Sequence, residues 1–239
     1  MNTTKNFIAL PGTDKQLTLL LDTINVSGLS ILVMGSGSER VSEKFGAEAG
    51  RSIELIVEDL DSLLIANMLL DKNKNINIKM MVLDSTDYVD NSFDLIYAQA
   101  SVSSLKRKII IMEIKRILKN DGYFCVGEIT KLKRDVPTFI ENVFSSSELD
   151  PLFTEDLTEY YRQRGFKIIY QQDLSDTLRE YYGYNLIMLN DEKILLRERE
   201  KKYFKKLLNK ISHESNVYLK QGGDRFVGFK TLLLRKENG

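Results

Sequence analysis

The stretch that most constrains this chain is residues 31–39, Ile-Leu-Val-Met-Gly-Ser-Gly-Ser-Glu. Four apolar residues run without a break into a Gly-x-Gly turn. An unbroken apolar run bounded by glycine reads as a strand buried on both faces, as in a parallel sheet. Residues 40–49 then read as a helix ending near Gly50. Strand, glycine turn and helix in that order open a doubly wound α/β sheet. Small residues at the turn let a ligand approach the backbone, and the helix N-terminus offers it free N–H groups.

The same alternation continues. Strands are expected at 53–57, 78–83, 93–98 and 123–128, with helices at 62–70 and 105–118 and a turn at Asn120-Asp121-Gly122. Right-handed crossovers make such a series a parallel sheet with helices on both faces. Further on, a helix at 154–164 leads to a sixth strand at 166–170, and a seventh lies at 226–235. Residues 14–26 carry helical spacing through Leu17, Leu20, Leu21 and Ile24, and residues 1–12 read as a tail. The expected architecture is one domain over 1–239, a Rossmann-like, mostly parallel seven-stranded sheet. Residues 173–224 form a helical cap insertion between the last two strands. That insertion holds Tyr181, Tyr182, Tyr184 and Tyr203 and a charged amphipathic stretch at 191–211. Its apolar residues, such as Leu207 and Leu208, are expected to cover a pocket or to pair two copies of the chain in a homodimer.

Composition removes several classes. Lys+Arg and Asp+Glu are both 34, so the net charge is +0; bulk electrostatic capture of nucleic acid or of an anionic membrane is not expected. One cysteine, Cys125, and one histidine, His213, allow no disulfide and no His/Cys metal site. No apolar run approaches membrane-spanning length and the start lacks a signal-peptide pattern, so a cytoplasmic protein is expected.

The candidate site follows the strand ends. Gly35, Ser36 and Gly37 form the loop after the first strand. Glu58 ends the second strand, where a carboxylate accepts hydrogen bonds from ribose hydroxyls, with Asp59 in reserve one residue on. Asp84 and Ser85 end the third strand, toward the base of such a ligand. Tyr97, Gln99 and Ser101 follow the fourth strand, where the crevice opens. Each has a plainer role as well: Glu58 as a charge at a helix N-terminus, Asp84 as a cap, Asp94 as a turn residue.

Two further segments carry a family resemblance. Ser92-Phe93-Asp94-Leu95-Ile96 is followed by Glu113-Ile114-Lys115-Arg116-Ile117-Leu118-Lys119-Asn120-Asp121-Gly122. The chain resembles the class I S-adenosylmethionine-dependent methyltransferases, in the ubiquinone/menaquinone-biosynthesis-like small-molecule branch. The family's segment reads Glu-x-x-Arg-x-Leu-Lys-Pro-Gly-Gly; Glu113, Arg116, Leu118, Lys119 and Gly122 match it. Phe153-Thr154-Glu155-Asp156-Leu157 and Arg164-Gly165-Phe166 resemble its later helix and the turn into strand six. The resemblance implies S-adenosylmethionine as cofactor, in-line methyl transfer to a small-molecule acceptor, and cofactor contacts from Gly35, Ser36, Gly37, Glu58, Asp59, Asp84, Ser85 and Gln99. The cofactor's sulfonium already activates the methyl group, so the protein aligns the reactants and excludes water. The family's first motif is acidic-x-Gly-x-Gly-x-Gly. Here Val33 stands at the acidic position and Glu39 at the third glycine. That departure keeps a second reading: a methyltransferase-like domain that binds the cofactor or a protein partner without catalysing. A nicotinamide-dependent oxidoreductase is disfavoured by the missing third glycine.

Overall fold

A computed structural model describes residues 7, 9–70, 75–190 and 211–237. The helix α1 (Lys15–Thr23) precedes the strand β1 (Ile31–Met34), and α2 (Glu39–Ala49), β2 (Ile53–Val57), α3 (Leu60–Leu69) and β3 (Ile76–Met80) follow in alternation. Next come β4 (Phe93–Gln99), α4 (Arg107–Ile117) and β5 (Leu118–Lys131), then α5 (Thr138–Ser146), the two-residue β6 (Leu152–Phe153) and α6 (Leu157–Arg162). The strand β7 (Phe166–Asp173), the helix α7 (Leu178–Asn190) and the strand β8 (Val227–Lys236) complete the named elements.

The sheet order is β3-β2-β1-β4-β5-β8-β7, with β6 paired to β5. Pairings from β3 through β5 are parallel, and β8 is antiparallel to both β5 and β7. All four residues of β1 are buried, as its central place requires. Alternate side chains go to opposite faces. Leu32 and Met34 join a core with Ile110, Ile114 and Tyr161 beneath α4 and α6. Ile31 and Val33 join Leu17, Phe45 and Ala66 beneath α1, α2 and α3.

Several boundaries differ from the sequence expectation. The third strand ends at Met80, not Leu83, because its sole partner β2 ends at Val57; Met81 N–H still donates to Val57 O at 3.0 Å. Asp84 therefore lies in the connection beyond the strand. The Asn120-Asp121-Gly122 signal does not end a helix before a strand. Leu118 already pairs with Phe93, so these residues form an irregularity within a fourteen-residue β5, with Asp121 at φ +58°. Residues 9–12 are not a tail: Pro11 and Gly12 are buried against the domain.

Between β7 and β8, the described parts of the insertion are helical: a 3-10 turn at Ser175–Thr177, α7, and residues 211–220. Tyr181, Tyr182, Val217 and Tyr218 pack there with Ile140 and Phe144 of α5 and Phe229 of β8. The charged helix expected over 191–211, with Tyr203, Leu207 and Leu208, lies outside the described residues except for Ile211. Among the described residues no helix is long and apolar enough to cross a membrane.

Candidate functional site

β1 is flanked by β2 and β4, so the chain leaves it toward one side and later returns to its other side. A crevice opens at the carboxyl ends of the strands where the order reverses. Here it measures about 800 Å3, and Gly35, Ser36, Gly37, Glu58 and Gln99 line it. Ser101, Lys106, Tyr181, Tyr182 and Glu214 line it as well.

The loop after β1 turns where only glycine is comfortable. Gly35 has φ +109°, and its N–H donates to Ile56 O at 2.9 Å. Ser36 Oγ donates to Ser62 Oγ at 2.8 Å, and Ser62 Oγ donates to Asp59 Oδ2 at 2.7 Å. Asp59 also accepts the Ser62 N–H at 2.9 Å, which caps α3. Its carboxylate thus braces the glycine loop from behind, while Glu58 lines the crevice. Partial burial pushes the Glu58 carboxyl above its ordinary pKa against the opposing pull of the Leu83 backbone and of Lys106.

Glu39 is almost fully buried. Burial raises its pKa, and the N–H groups of Glu39 and Gly37 counter by donating to it. A carboxylate at the first turn of α2 suits the helix dipole.

Asp84 and Ser85 do not line the crevice. Asp84 pairs with Lys106 at 2.8 Å, which holds its carboxyl below the usual range, and Ser85 is exposed beyond β3. Tyr97 does not reach the crevice opening. On the same face of β4 as Gln99 but two residues earlier, its ring is fully buried beneath the strand end, edge-on to Phe45 at 5.4 Å. Gln99 lines the crevice with its amide already engaged: it donates to Pro11 O at 2.7 Å and Thr13 O at 2.9 Å and accepts from Tyr97 Oη at 2.7 Å. Asp94 is a positioning residue, accepting from Ser30 and from Lys119 at 2.9 Å. His213 is exposed. Cys125 is fully buried, and burial pushes its thiol up to about 12. Among the described residues no group of three or more His, Cys, Asp or Glu could hold a metal ion.

The family model described as "Methyltransferase domain" matches residues 32–126. Over those residues the chain is similar to a methyltransferase domain. Enzyme class and cofactor go with that family: an S-adenosylmethionine-dependent methyltransferase. The match does not single out the ubiquinone-like branch. No curated protein sequence matches the chain. Among solved structures, the [4+2]-cyclase SpnF has a TM-score of 0.72 at 19% identity, over 95% of this chain and 81% of that one. A putative sarcosine dimethylglycine methyltransferase from Galdieria sulphuraria scores 0.71 at 14% identity, over 95% and 84%. A phosphoethanolamine N-methyltransferase 2 from Haemonchus contortus, in complex with S-adenosyl-L-methionine, scores 0.75 at 14% identity. That alignment covers 98% of this chain and 54% of the other, so the methyltransferase spans about half of that relative. These likenesses are of fold.

Sequence reasoning missed two groups in this methyltransferase. Ala9, Leu10 and Pro11 cross the crevice as a strap: Ala9 N–H donates to Asn185 Oδ1 of α7 at 3.2 Å, and Leu10 packs beside Gly37. The short apolar run at residues 7–11 gives no register for this, because the partners lie far along the chain. The other is Glu214. Its partner Ser147 lies sixty-seven residues earlier, so no local spacing marks it as buried. Tyr184, unlike Tyr181 and Tyr182, lines a separate pocket of about 190 Å3 beside Asp14 and Arg40.

Proposed function

We propose that this methyltransferase passes a methyl group from S-adenosylmethionine to a small-molecule acceptor in the crevice, by in-line displacement. The observation that carries the reading is that the glycine loop and the Glu58 carboxylate, from successive strand ends, line one crevice at the switch point. The residues suit the cofactor. Gly35 and Gly37 hold the loop at positive φ, where few side chains fit, Ser38 Oγ is buried with no partner beside the loop, and Glu58 is a carboxylate for a diol. Gly35, Ser36, Gly37 and Glu58 are the residues we assign to holding it. Asp59 we assign to bracing that loop.

When bound, S-adenosylmethionine supplies a methyl group already activated on a sulfonium. The chain's own work is then to fix the acceptor against it and keep water out. The strap at residues 9–11 and the 173–224 insertion, whose Tyr181 and Tyr182 line the crevice, support a closing role. Calorimetry with S-adenosylmethionine, followed by a methyl-release assay over a panel of acceptors, tests the reading. No binding would overturn it. The methyl-release arm is needed because the fold also serves a [4+2]-cyclase.

One observation favours a second reading. Glu39, at the third position of the glycine loop, is almost fully buried, and burial raises its pKa against the pull of the Glu39 and Gly37 backbone. Cofactor binding with no methyl release from any acceptor would support a binding domain without catalysis.

A further inference from the structure

Two side-chain amides hold the segment that crosses the crevice, and they hold it unequally. Gln99, 2% exposed at the end of β4, donates from Nε2 to Pro11 O at 2.7 Å and to Thr13 O at 2.9 Å. Asn185 of α7 is fully buried and makes a reciprocal pair with Ala9. It accepts the Ala9 N–H at 3.2 Å and donates to Ala9 O at 3.4 Å. The Gln99 bonds have ordinary lengths, whereas the Asn185 bonds lie at the long, weak end. Between the two fastenings, Gly12 turns at φ +85° against the Phe229 ring. The segment is thus fixed around Gly12 and fastened at Ala9 by the contacts that break first.

The strap has space on both sides. Ala9 and Leu10, with Gly37 and Gln99, line the 800 Å3 crevice, and the same four residues line the cavity of about 190 Å3. Leu10 rests on the glycine loop, its Cδ2 3.2 Å from where a Cβ on Gly37 would lie. A segment bordered by cavities has few packing contacts to lose when it shifts.

We propose that residues 9–11 are a gate over the glycine loop, with Gly12 as its pivot and Asn185 as its latch. The inference rests on the crevice as the cofactor site and adds how a ligand enters and leaves it. With the latch made, Leu10 covers Gly37 and the strap keeps water from that side of the crevice. With it broken, Leu10 moves toward the smaller cavity and uncovers the loop. Asn185 is a positioning residue: it acts through the strap. Because Tyr181 and Tyr182 of the same helix line the crevice, the latch ties closure of the strap to the seating of α7.

Two measurements on the full chain test the gate. Amide hydrogen exchange without ligand reads the latch. In Asn185→Leu the Ala9 N–H is expected to exchange about tenfold faster, for the loss of two hydrogen bonds, while the amides of β5 keep their rates. Surface plasmon resonance with S-adenosylhomocysteine reads the gate. Association and dissociation rates are both expected to rise about tenfold in Asn185→Leu, with Kd held within about twofold. A side chain that only supports the fold would weaken Kd and leave association no faster. Ala9→Pro removes the donor from the strap and leaves α7 intact; it is expected to raise both rates as well, and it decides the matter if Asn185→Leu does not fold. Unchanged rates in Ala9→Pro, or faster dissociation alone, overturn the gate. If S-adenosylhomocysteine binds the unaltered chain and these rates do not move, only the gate falls. If it does not bind the unaltered chain, the methyltransferase reading falls and takes the gate with it.

Discussion

Ser101 stands directly over Gly35: a Cβ added to Gly35 would lie 2.6 Å from the Ser101 Cβ. The loop that begins the crevice and the segment that follows β4 are therefore in contact before any ligand arrives. Gly35→Ala meets two penalties, this overlap and a φ of +109°. Backbone strain of that kind costs about 1–3 kcal/mol. Urea denaturation of Gly35→Ala is expected to show at least that loss, and Ser101→Gly added to it recovers the steric part alone. Full recovery would mean that the backbone carries no strain.

Glu58 and Asp59 are adjacent but do different work, so their alanine variants should separate. Glu58→Ala removes a charged acceptor worth about 1.5–3 kcal/mol to a bound diol, which predicts a ten- to hundredfold weaker affinity for S-adenosylmethionine. Asp59→Ala removes the cap of α3 at a cost of about 1 kcal/mol of stability, and affinity stays near the unaltered value. Calorimetry and thermal melting on both variants check the pair. An affinity loss confined to Asp59→Ala would exchange the assignments.

The Glu113 carboxylate, which matches the family's Glu-x-x-Arg, is held by Arg116 at 2.7 Å and by the Thr86 hydroxyl and N–H. Desolvation works against its charge. Arg116 and Thr86 win, and its pKa falls from 4.5 to about 2. A carboxylate depressed on folding stabilises fully above its unfolded pKa, and the contribution is lost as pH drops through the folded one. The advantage of unaltered protein over Glu113→Gln is therefore expected to be steady above pH 5 and to shrink between pH 4.5 and 2. Its size is about 1–2 kcal/mol once the exposure of Arg116 is discounted. Chemical denaturation at pH 6, 4 and 3 reads it; a constant difference would refute the linkage.

Glu128, fully buried in β5, accepts from Arg107 at 2.7 Å and from Tyr161 Oη at 2.5 Å. Arg107 is the first residue of α4 and also donates to Asp150 O, so the cluster fixes the segment that carries Lys106. Glu128→Gln leaves the buried guanidinium only the exposed Asp150 carboxylate, 3.7 Å away, as charge partner and is expected to cost about 3 kcal/mol. The double variant Arg107→Met with Glu128→Gln should be more stable than the single one, as read by melting temperature. A single variant as stable as the starting protein would show that solvent reaches Arg107 without cost.

What the sequence determined by itself was local or periodic. The run 31–34 fixed β1 because only a strand covered on both faces tolerates four consecutive apolar residues, and the following glycines marked the turn because a positive φ excludes most side chains. Glu113 and Arg116 were legible as a motif because they sit three residues apart on one helix. Tertiary structure decided whatever depends on a partner distant in the chain. Asp84 lies beyond β3, which stops where β2 stops, and pairs there with Lys106 of a segment twenty-two residues on. Gln99 is occupied because a strap eighty-eight residues earlier returns to it. Glu214 is buried where the insertion folds it against Ser147, sixty-seven residues away. Composition and spacing carry no information about such pairings, since hydrogen bonds and desolvation depend on position in space and not on order along the chain.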